Sequence, residues 1–380
     1  METSPTNQPP PSVASFTAET GDRLTLFSAY RAWIDQLVTD LDRAQREIVM
    51  EMYTFEPDGE GGDVAEALLR AAERGVRVRL MVDGLGCRSV PDDFFDWLRE
   101  GGVRVRTYNP VHWWSFLLHP GKPLRRRNHR KLAVVDNRVG HLGGMNLGFR
   151  FRHWEDLALR VEGPSAAALR QSHEYVWEGR RRKPIFLPWR HRGLAPEVHF
   201  LDNFSDEQYS PIKKHYIHAI RRAQHRILMA HAYFFPDKRL RKELRKAARR
   251  GVSVEIVAPE SSDIAAVDYA ARHVFRKLLR DGVRLFLFRG AKLHAKAAVI
   301  DDDWMTLGSA NLDPISLFSC LEINAAIQHR PLIAHLTRVI ENYKSRSVEF
   351  DMMSWVRRSL PERALEWLWY RARRWYATWG

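Results

Sequence analysis

Two short stretches of the chain carry histidine and lysine at one shared spacing, and these residue types are suited to phosphoryl chemistry. At its defined positions the first reads His-x-Lys-x4-Asp-x6-Gly-Gly-x-Asn, and the second differs only by a serine at the second glycine. Alternate residues of a strand point to one face, so each histidine shares a face with its lysine. Recurrence of the whole spacing predicts one functional site built from His129, Lys131, Asp136, Gly144 and Asn146 with His294, Lys296, Asp301, Ser309 and Asn311.

An imidazole beside a fixed ammonium group predicts a site for an anion such as a phosphodiester. Two lysines would neutralise the phosphoryl oxygens, while one imidazole attacks phosphorus and forms a phosphohistidine. The other imidazole would protonate the leaving alkoxide and then take a proton from the incoming hydroxyl. Each copy supplies one histidine, so we expect the two halves of the chain to face each other across the site.

Metal catalysis is the competing mechanism for phosphodiester chemistry, and it needs clustered carboxylates. The two copies instead place an ammonium group beside each histidine, which repels a cation. We therefore expect neither a metal nor another cofactor.

The remaining residues of the two copies have supporting roles in this interpretation. Asp136 and Asp301 have the opposite strand parity from the histidines, so we expect them to fix a turn or the lysine geometry. The Gly144 and Ser309 positions let backbone and small groups approach a phosphate, and the Asn146 and Asn311 amides can donate to its oxygens.

Each histidine also needs a carboxylate that orients its second nitrogen and holds its tautomer. Two acidic residues lie at matching distances beyond the two copies, before apolar segments typical of strands. We predict that Asp156 and Glu322 have this orienting role.

The segments around the two copies repeat as well, which predicts two similar halves. Apolar runs alternate with segments of helical periodicity and short glycine-bearing turns, a pattern typical of α/β folds. We expect two α/β/α halves with mixed, largely parallel sheets, related by a pseudo-twofold axis. The predicted divisions are a disordered tail (1–20), the first half (21–180), a linker (181–196), the second half (197–350) and an amphipathic C-terminal helix rich in Trp and Arg (351–380).

The composition indicates an anionic partner. The net charge is +14, which suits nucleic acid, an anionic membrane surface or a phosphate-bearing substrate alike. With two cysteines, Cys87 and Cys320, we expect a reducing compartment and no disulfide scaffold. We also expect no signal peptide and no membrane-spanning segment.

Two Trp-rich segments fit either contact with lipid or ordinary packing. Trp113 and Trp114 precede the basic run Arg125–Arg127, so this segment is either a membrane-facing rim or a core loop. Beyond a capping box at Ser359 and Glu362, the C-terminal stripe either packs on its own domain or lies in a membrane interface.

The doubled motif resembles that of the phospholipase D superfamily, and the flanking residues are similar to those of bacterial cardiolipin synthases, especially the type B enzymes. The likeness runs from about Arg23 to Asn342. It rests also on Ala232-Tyr-Phe-Phe-Pro236 and Gly308-Ser-Ala-Asn-Leu-Asp-Pro-Ile-Ser-Leu317. Gly144 departs from the serine of the second copy, so the hydroxyl contact there would be one-sided.

The resemblance implies transfer of a phosphatidyl group between two phosphatidylglycerols, with release of glycerol. It implies that His129 is the nucleophile and His294 the acid/base. It also implies a peripheral enzyme on the cytoplasmic side of the inner membrane. Hydrolysis of the lipid, a nuclease of the same superfamily and a non-catalytic protein that binds anionic lipid remain as alternatives.

Overall fold

The computed structural model describes residues 9–111, 126–179, 197–204 and 210–378, with side chains as far as residue 371. Within these residues the chain forms two α/β halves, each built on an eight-stranded mixed sheet. The strands of the first sheet are β1 (Val13–Thr17), β2 (Arg23–Phe27), β3 (Glu47–Met52), β4 (Arg77–Asp83), β5 (Arg104–Tyr108), β6 (Leu132–Val135), β7 (Val139–Gly143) and β8 (Ala158–Glu162).

The second sheet repeats this set. Its strands are β9 (Val198–Phe204), β10 (Arg226–His231), β11 (Ser253–Pro259), β12 (Arg284–Phe288), β13 (Lys296–Ile300), β14 (Trp304–Gly308), β15 (Leu321–Ile327) and β16 (Ser347–Glu349). The helices of the described residues are α1 (Tyr30–Asp42), α2 (Glu60–Glu73), α3 (Asp92–Glu100), α4 (Ala166–Trp177), α5 (Pro211–Arg222), α6 (Lys238–Arg249), α7 (Ala265–Arg280), α8 (Pro314–Ser319), α9 (Arg330–Ser345), α10 (Met352–Val356) and α11 (Leu360–Thr378), with a 3₁₀ turn at Phe149–Phe151.

The two sheets share one strand order, which confirms the prediction of two similar halves. Read across the sheet, the first has the order β1-β2-β8-β7-β6-β3-β4-β5 and the second β9-β15-β14-β13-β10-β11-β12-β16. The strands from β2 to β5 in the first order therefore match those from β9 to β12 in the second. The extra strands, β1 and β16, lie at opposite edges.

The sheets are mixed, as predicted, but the expectation that they are largely parallel is wrong. Among the described strands, only β3-β4-β5 and β10-β11-β12 run parallel, and the other strand pairs of both sheets are antiparallel. The reason lies in the connections after the motif strands. Residues 136–138 join β6 to β7, and residues 301–303 join β13 to β14. Loops this short permit only antiparallel neighbours.

The hydrophobic core has three main parts. Two of these parts lie on the outer faces of the two sheets, one on each sheet, where helices such as α1 and α7 pack. The third lies between the sheets and contains side chains from both halves, including Leu132 and Leu159 of the first and Ala297 and Leu307 of the second. The shared core holds the motif strands of the two halves face to face.

Two terminal predictions need correction, and one lies outside the described residues. The N-terminal segment is not disordered as far as residue 20, because β1 pairs with β2 and the Phe16 ring packs against His329 of the other half. The C-terminal segment forms two helices, α10 and α11, rather than one. The predicted linker (181–196) is not among the described residues.

Candidate functional site

Backbone contacts between the halves assemble the site. The residue before each motif histidine forms an isolated parallel bridge with the residue before the orienting carboxylate of the other half. Asn128 pairs with Leu321, and Leu293 pairs with Glu155. The His129 N–H donates to the Leu321 carbonyl at 3.0 Å, and the His294 N–H donates to the Glu155 carbonyl at 2.8 Å. These bridges place each histidine beside the carboxylate of the opposite half.

The two predicted carboxylates contact the two histidines in a crossed arrangement. His129 Nδ1 lies 3.0 Å from Glu322 Oε1, and His294 Nδ1 lies 2.6 Å from Asp156 Oδ2. A carboxylate at Nδ1 favours the tautomer with its proton there. The Nε2 atom of each imidazole is then the one suited to attack a phosphorus atom or to move a proton.

Both motif lysines are buried next to these pairs. Lys131 is 2% exposed and Lys296 is 1% exposed, and each ammonium group donates to the carbonyl of its own motif histidine. Burial lowers the pKa of Lys131 to about 7 and that of Lys296 to about 8, against the attraction of Glu322 and Asp156. A bound anion would offset this loss of hydration, so the site is suited to a negatively charged group.

The same surroundings keep the two imidazoles neutral at neutral pH. Burial lowers the pKa of His129 even though Glu322 opposes the change. Burial and the Lys296 ammonium lower the pKa of His294 to about 4, against the opposing effect of Asp156. A neutral imidazole has a free lone pair at Nε2, which a nucleophile requires.

The motif aspartates lie in the turns after the motif strands. The Asp136 carboxylate accepts from the N–H groups of residues 45, 46 and 47, and the Asp301 carboxylate accepts from those of residues 224, 225 and 226. Both residues have left-handed backbone angles, with φ of 51° and 49°. This geometry ties the turn to the start of β3 or β10 and puts both aspartates in a supporting position.

The His129–Glu322 pair and the His294–Asp156 pair differ in the groups that contact the carboxylate. Glu322 accepts from the hydroxyls of Ser309 and Ser316. The first half has Gly144 in place of Ser309, and a Cβ atom there would come within 2.2 Å of an Asp156 carboxylate oxygen. The glycine therefore makes room for Asp156. The Ser309 hydroxyl donates to Glu322, and its expected contact with phosphate stays a prediction.

The motif asparagines are buried at equivalent places. Asn146 is 5% exposed and Asn311 is 3% exposed, and Asn311 lines a cavity at the site. Neither side-chain oxygen has a hydrogen-bond partner among the described residues. The structure thus places these amides near the site, and their expected contact with phosphate stays a prediction.

Three contacts at the site were not predicted. The Tyr53 ring meets the His129 imidazole edge-on at 4.8 Å, and the Trp154 ring meets His294 at 4.9 Å. Ser316, from α8, donates to Glu322. The nearness of Trp154 to Asp156 in sequence was an available signal, whereas Tyr53 and Ser316 reach the site only through the fold.

A cavity of about 420 Å³ adjoins His129 and the Glu322 carboxylate that contacts it. Its lining is largely apolar, with Leu85, Ile264, Val267, Ile315 and Trp369, and its polar lining residues include Arg127, His129, Asn311, Asp313 and Glu322. The site therefore joins anion-binding groups to an apolar compartment.

Two further properties concern metals and membranes. Across the described residues, no three His, Cys, Asp or Glu side chains cluster in a way that could hold a metal ion. No helix in the same part of the chain combines the length and apolar character needed to cross a bilayer. Cys87 and Cys320 are free and buried.

Comparison with known sequences gives consistent matches over most of the chain. Residues 37–177 and 216–344 match the family model described as "Cardiolipin synthase, PLD-like domain". Cardiolipin synthase B of Salmonella typhi is 35% identical over 305 residues, covering 76% of this chain and 72% of that protein. Cardiolipin synthase B of Escherichia coli (strain K12) is 32% identical over 326 residues, covering 82% and 77%.

Solved structures share the fold at low sequence identity. The phosphatidylserine synthase of Haemophilus influenzae Rd KW20 superposes with a TM-score of 0.75 at 12% identity, over 98% of this chain and 97% of that one. The polyphosphate kinase of Porphyromonas gingivalis gives a TM-score of 0.57 at 14% identity, over 84% of this chain and 50% of that one. At these identities the likeness concerns the fold alone.

Proposed function

The chain belongs to the family of phospholipase D-like cardiolipin synthases, and from this membership we propose that it makes cardiolipin from two molecules of phosphatidylglycerol. The family comprises phosphatidyltransferases, so the enzyme class follows from membership. The identity of both lipids, the covalent intermediate and the roles of single residues are parts of the proposal.

In the first half-reaction His129 Nε2 attacks the phosphorus atom of one phosphatidylglycerol. The bond from phosphorus to the glycerol oxygen breaks, and His294 protonates the leaving alkoxide, which departs as glycerol. Lys131 and Lys296 neutralise the phosphoryl oxygens. Without a bound anion, burial and the Lys296 ammonium hold the pKa of His294 near 4. The negative charge of the bound phosphodiester raises this pKa, so the imidazole takes the required proton from solvent when the lipid binds.

In the second half-reaction a hydroxyl group of another phosphatidylglycerol gives its proton to His294 and attacks the same phosphorus atom. The bond between phosphorus and His129 breaks, and cardiolipin is released. Water in place of this hydroxyl would give phosphatidic acid, so slow hydrolysis is part of the same mechanism. No step requires a metal ion, and we expect full activity in EDTA.

The assignment of His129 as nucleophile is supported by its access to the cavity. The His129 side chain is 15% exposed and lines the cavity, whereas the His294 side chain is 7% exposed. A group that must reach phosphorus needs the more open position. His294 is better enclosed, which suits proton transfer to oxygens already held at the site.

The main support for a lipid substrate is the apolar lining of the cavity beside His129. A groove for nucleic acid would be lined with cations that follow the phosphate backbone. Here the cavity lining contains, among the described residues, a single Arg or Lys, Arg127, whose guanidinium pairs with Asp83, whereas Ile264, Ile315 and Trp369 are apolar. This supports a phosphatidyl substrate over a polynucleotide. Peripheral contact with the cytoplasmic surface of the inner membrane is a further part of the proposal and is drawn from the family membership.

Mass spectrometry of the lipid products tests the proposal. Purified protein with phosphatidylglycerol vesicles should yield cardiolipin and glycerol, and His129→Ala or His294→Ala should abolish transfer and hydrolysis while vesicle binding persists. His225→Ala, at an exposed histidine, is the matched control. Substantial turnover by either site variant, or cleavage of an oligonucleotide without lipid turnover, would contradict the proposal.

A second experiment separates the two histidines. A p-nitrophenyl phosphodiester has a leaving group that needs little protonation, so it makes a general acid dispensable in the first half-reaction. His294→Ala should then release one equivalent of nitrophenol and retain a phosphoryl adduct on His129, visible by intact mass. If His129→Ala gives the burst instead, the roles are reversed.

A further inference from the structure

Exposed apolar side chains are concentrated at the C-terminal end of the described chain. Twelve large hydrophobic residues are exposed among the described residues, and seven of them lie between residues 353 and 369. A folded surface ordinarily carries such side chains singly, and a contiguous patch marks an interaction site. The seven are Met353, Val356, Leu360, Leu365, Trp367, Leu368 and Trp369.

Helix α11 is nevertheless firmly packed on its inner face. Tyr370 is buried, its ring lying 4.3 Å from that of His273 in α7 and 6.0 Å from that of Phe235. The buried Glu366 carboxylate pairs with the Arg358 guanidinium. These contacts hold α11 in one orientation, so its outer apolar face is a defined surface.

This outer face continues into the active-site cavity. Trp369 is 41% exposed, and Ile264, the residue that precedes α7, is 46% exposed. Both nevertheless line the cavity beside His129. A lipid whose phosphate lies at His129 would therefore have an apolar path along the cavity wall to Trp369, which lies on the same helix as Trp367 and Leu368. No such path is needed for a water-soluble substrate.

The charges around this face suit an anionic surface. Arg357 and Arg371 are exposed, and the Arg371 guanidinium lies 5.6 Å from the centre of the Trp367 ring. The nearby Glu362 carboxylate is engaged with the N–H and hydroxyl of Ser359 at the start of the helix. Arginine beside exposed tryptophan is the composition of helices that lie in the interface of anionic membranes.

We propose that the outer face of α11, together with Ile264, seats in an anionic bilayer and forms the rim through which the acyl chains of the phosphatidyl donor enter the cavity. This inference rests on the proposed function and adds the surface and route by which the lipid arrives. Trp369 belongs to both the rim and the cavity wall, whereas Trp367 and Leu368 contact only the bilayer.

Vesicle binding and two donor lipids test the rim. The double variant Trp367→Ser/Leu368→Ser should bind vesicles containing phosphatidylglycerol at least about tenfold more weakly, because two large apolar side chains no longer leave water. Transfer from vesicle-borne donor should fall similarly, while turnover of monomeric dihexanoyl phosphatidylglycerol stays near the wild-type value. Trp97→Ser, at another exposed tryptophan (44% exposed), should change neither.

The outcomes distinguish the rim from its rivals. Wild-type vesicle binding by the double variant would overturn the proposal. So would a wild-type dimer that the double variant dissociates without loss of vesicle binding, because the face would then contact a second copy. Weakened vesicle binding in a protein that turns over no phosphatidyl donor would uphold the membrane surface and refute the proposed function instead.

Discussion

Replacing Lys131 with methionine should stabilise the protein while abolishing its activity. Burial lowers the pKa of this lysine from an ordinary 10.5 to about 7, which corresponds to about 5 kcal/mol for keeping the ammonium group charged in the fold. Methionine has similar length and no charge. Its drawback is the lost donation from Nζ to the His129 carbonyl at 2.8 Å, since an unpaired buried oxygen costs about 1–3 kcal/mol.

The difference leaves a net stabilisation on the order of 2 kcal/mol, and its pH dependence has a definite sign. Below about pH 7 the Lys131 amine is protonated in both states, so the wild type bears the full cost of the buried charge. Between pH 7 and 10.5 folding increasingly releases the proton, and the cost shrinks. The advantage of the methionine variant should therefore be largest at pH 6. It should be gone at pH 10.5, where only the lost hydrogen bond remains and the wild type is more stable by about 1–3 kcal/mol.

Urea unfolding at several pH values measures this effect. The midpoint for Lys131→Met should exceed that of the wild type at pH 6, and the order should reverse as the pH approaches 10.5. Lys242→Met, at an exposed lysine, should follow the wild type throughout. A variant less stable than the wild type at pH 6, or a stability difference that does not change with pH, would refute the reasoning.

Three further predictions concern the turns and the site. Gly144→Ser should lower the rate of transfer about a hundredfold or more, because the new Cβ displaces the Asp156 carboxylate. Ser309→Gly should lower the rate less. Equal losses in transfer assays would argue against the steric explanation. Asp301→Ala should destabilise by about 2–3 kcal/mol in urea unfolding through loss of three N–H partners, and Asp301→Asn should recover part of this; an unchanged midpoint would show that the turn needs no carboxylate. Finally, kcat/KM should fall above about pH 7–8, because Lys131 and Lys296 lose their protons with pKa values of about 7 and 8. In contrast, kcat should hold to higher pH, because the bound phosphate restores the two positive charges. A pH profile in which kcat falls in parallel with kcat/KM would contradict this.

The sequence was sufficient to locate the reactive groups but not to pair them. Both histidines, both lysines and the two orienting carboxylates lie together in the structure because a repeated motif records local strand geometry. Which carboxylate meets which histidine depends on the bridge between Asn128 and Leu321 and its counterpart in the other half. These two bridges join residues 193 and 138 positions apart, and no local pattern reports them.

Other differences follow from the same limit. The direction of the sheet strands was misjudged because β6 and β7 lie in a hairpin, where the apolar pattern is the same for parallel and antiparallel neighbours. The strand at Val13–Thr17 was missed because it closely follows a run of prolines and because its contact with His329 lies far along the chain. The segment with Trp113 and Trp114 falls outside the described residues, so its role stays a prediction.

The crossed pairing has a consequence for how such a site can specialise. If the two halves were identical separate chains, every property of one histidine pair would be imposed on the other by symmetry. Joining them in one polypeptide frees the two pairs to diverge, and here they have done so: Glu322 is held by two hydroxyls, while Asp156 lies against a bare glycine. The roles of nucleophile and proton carrier can then be fixed by the sequence of each half. In a symmetric dimer, either histidine could take either role each time a substrate binds.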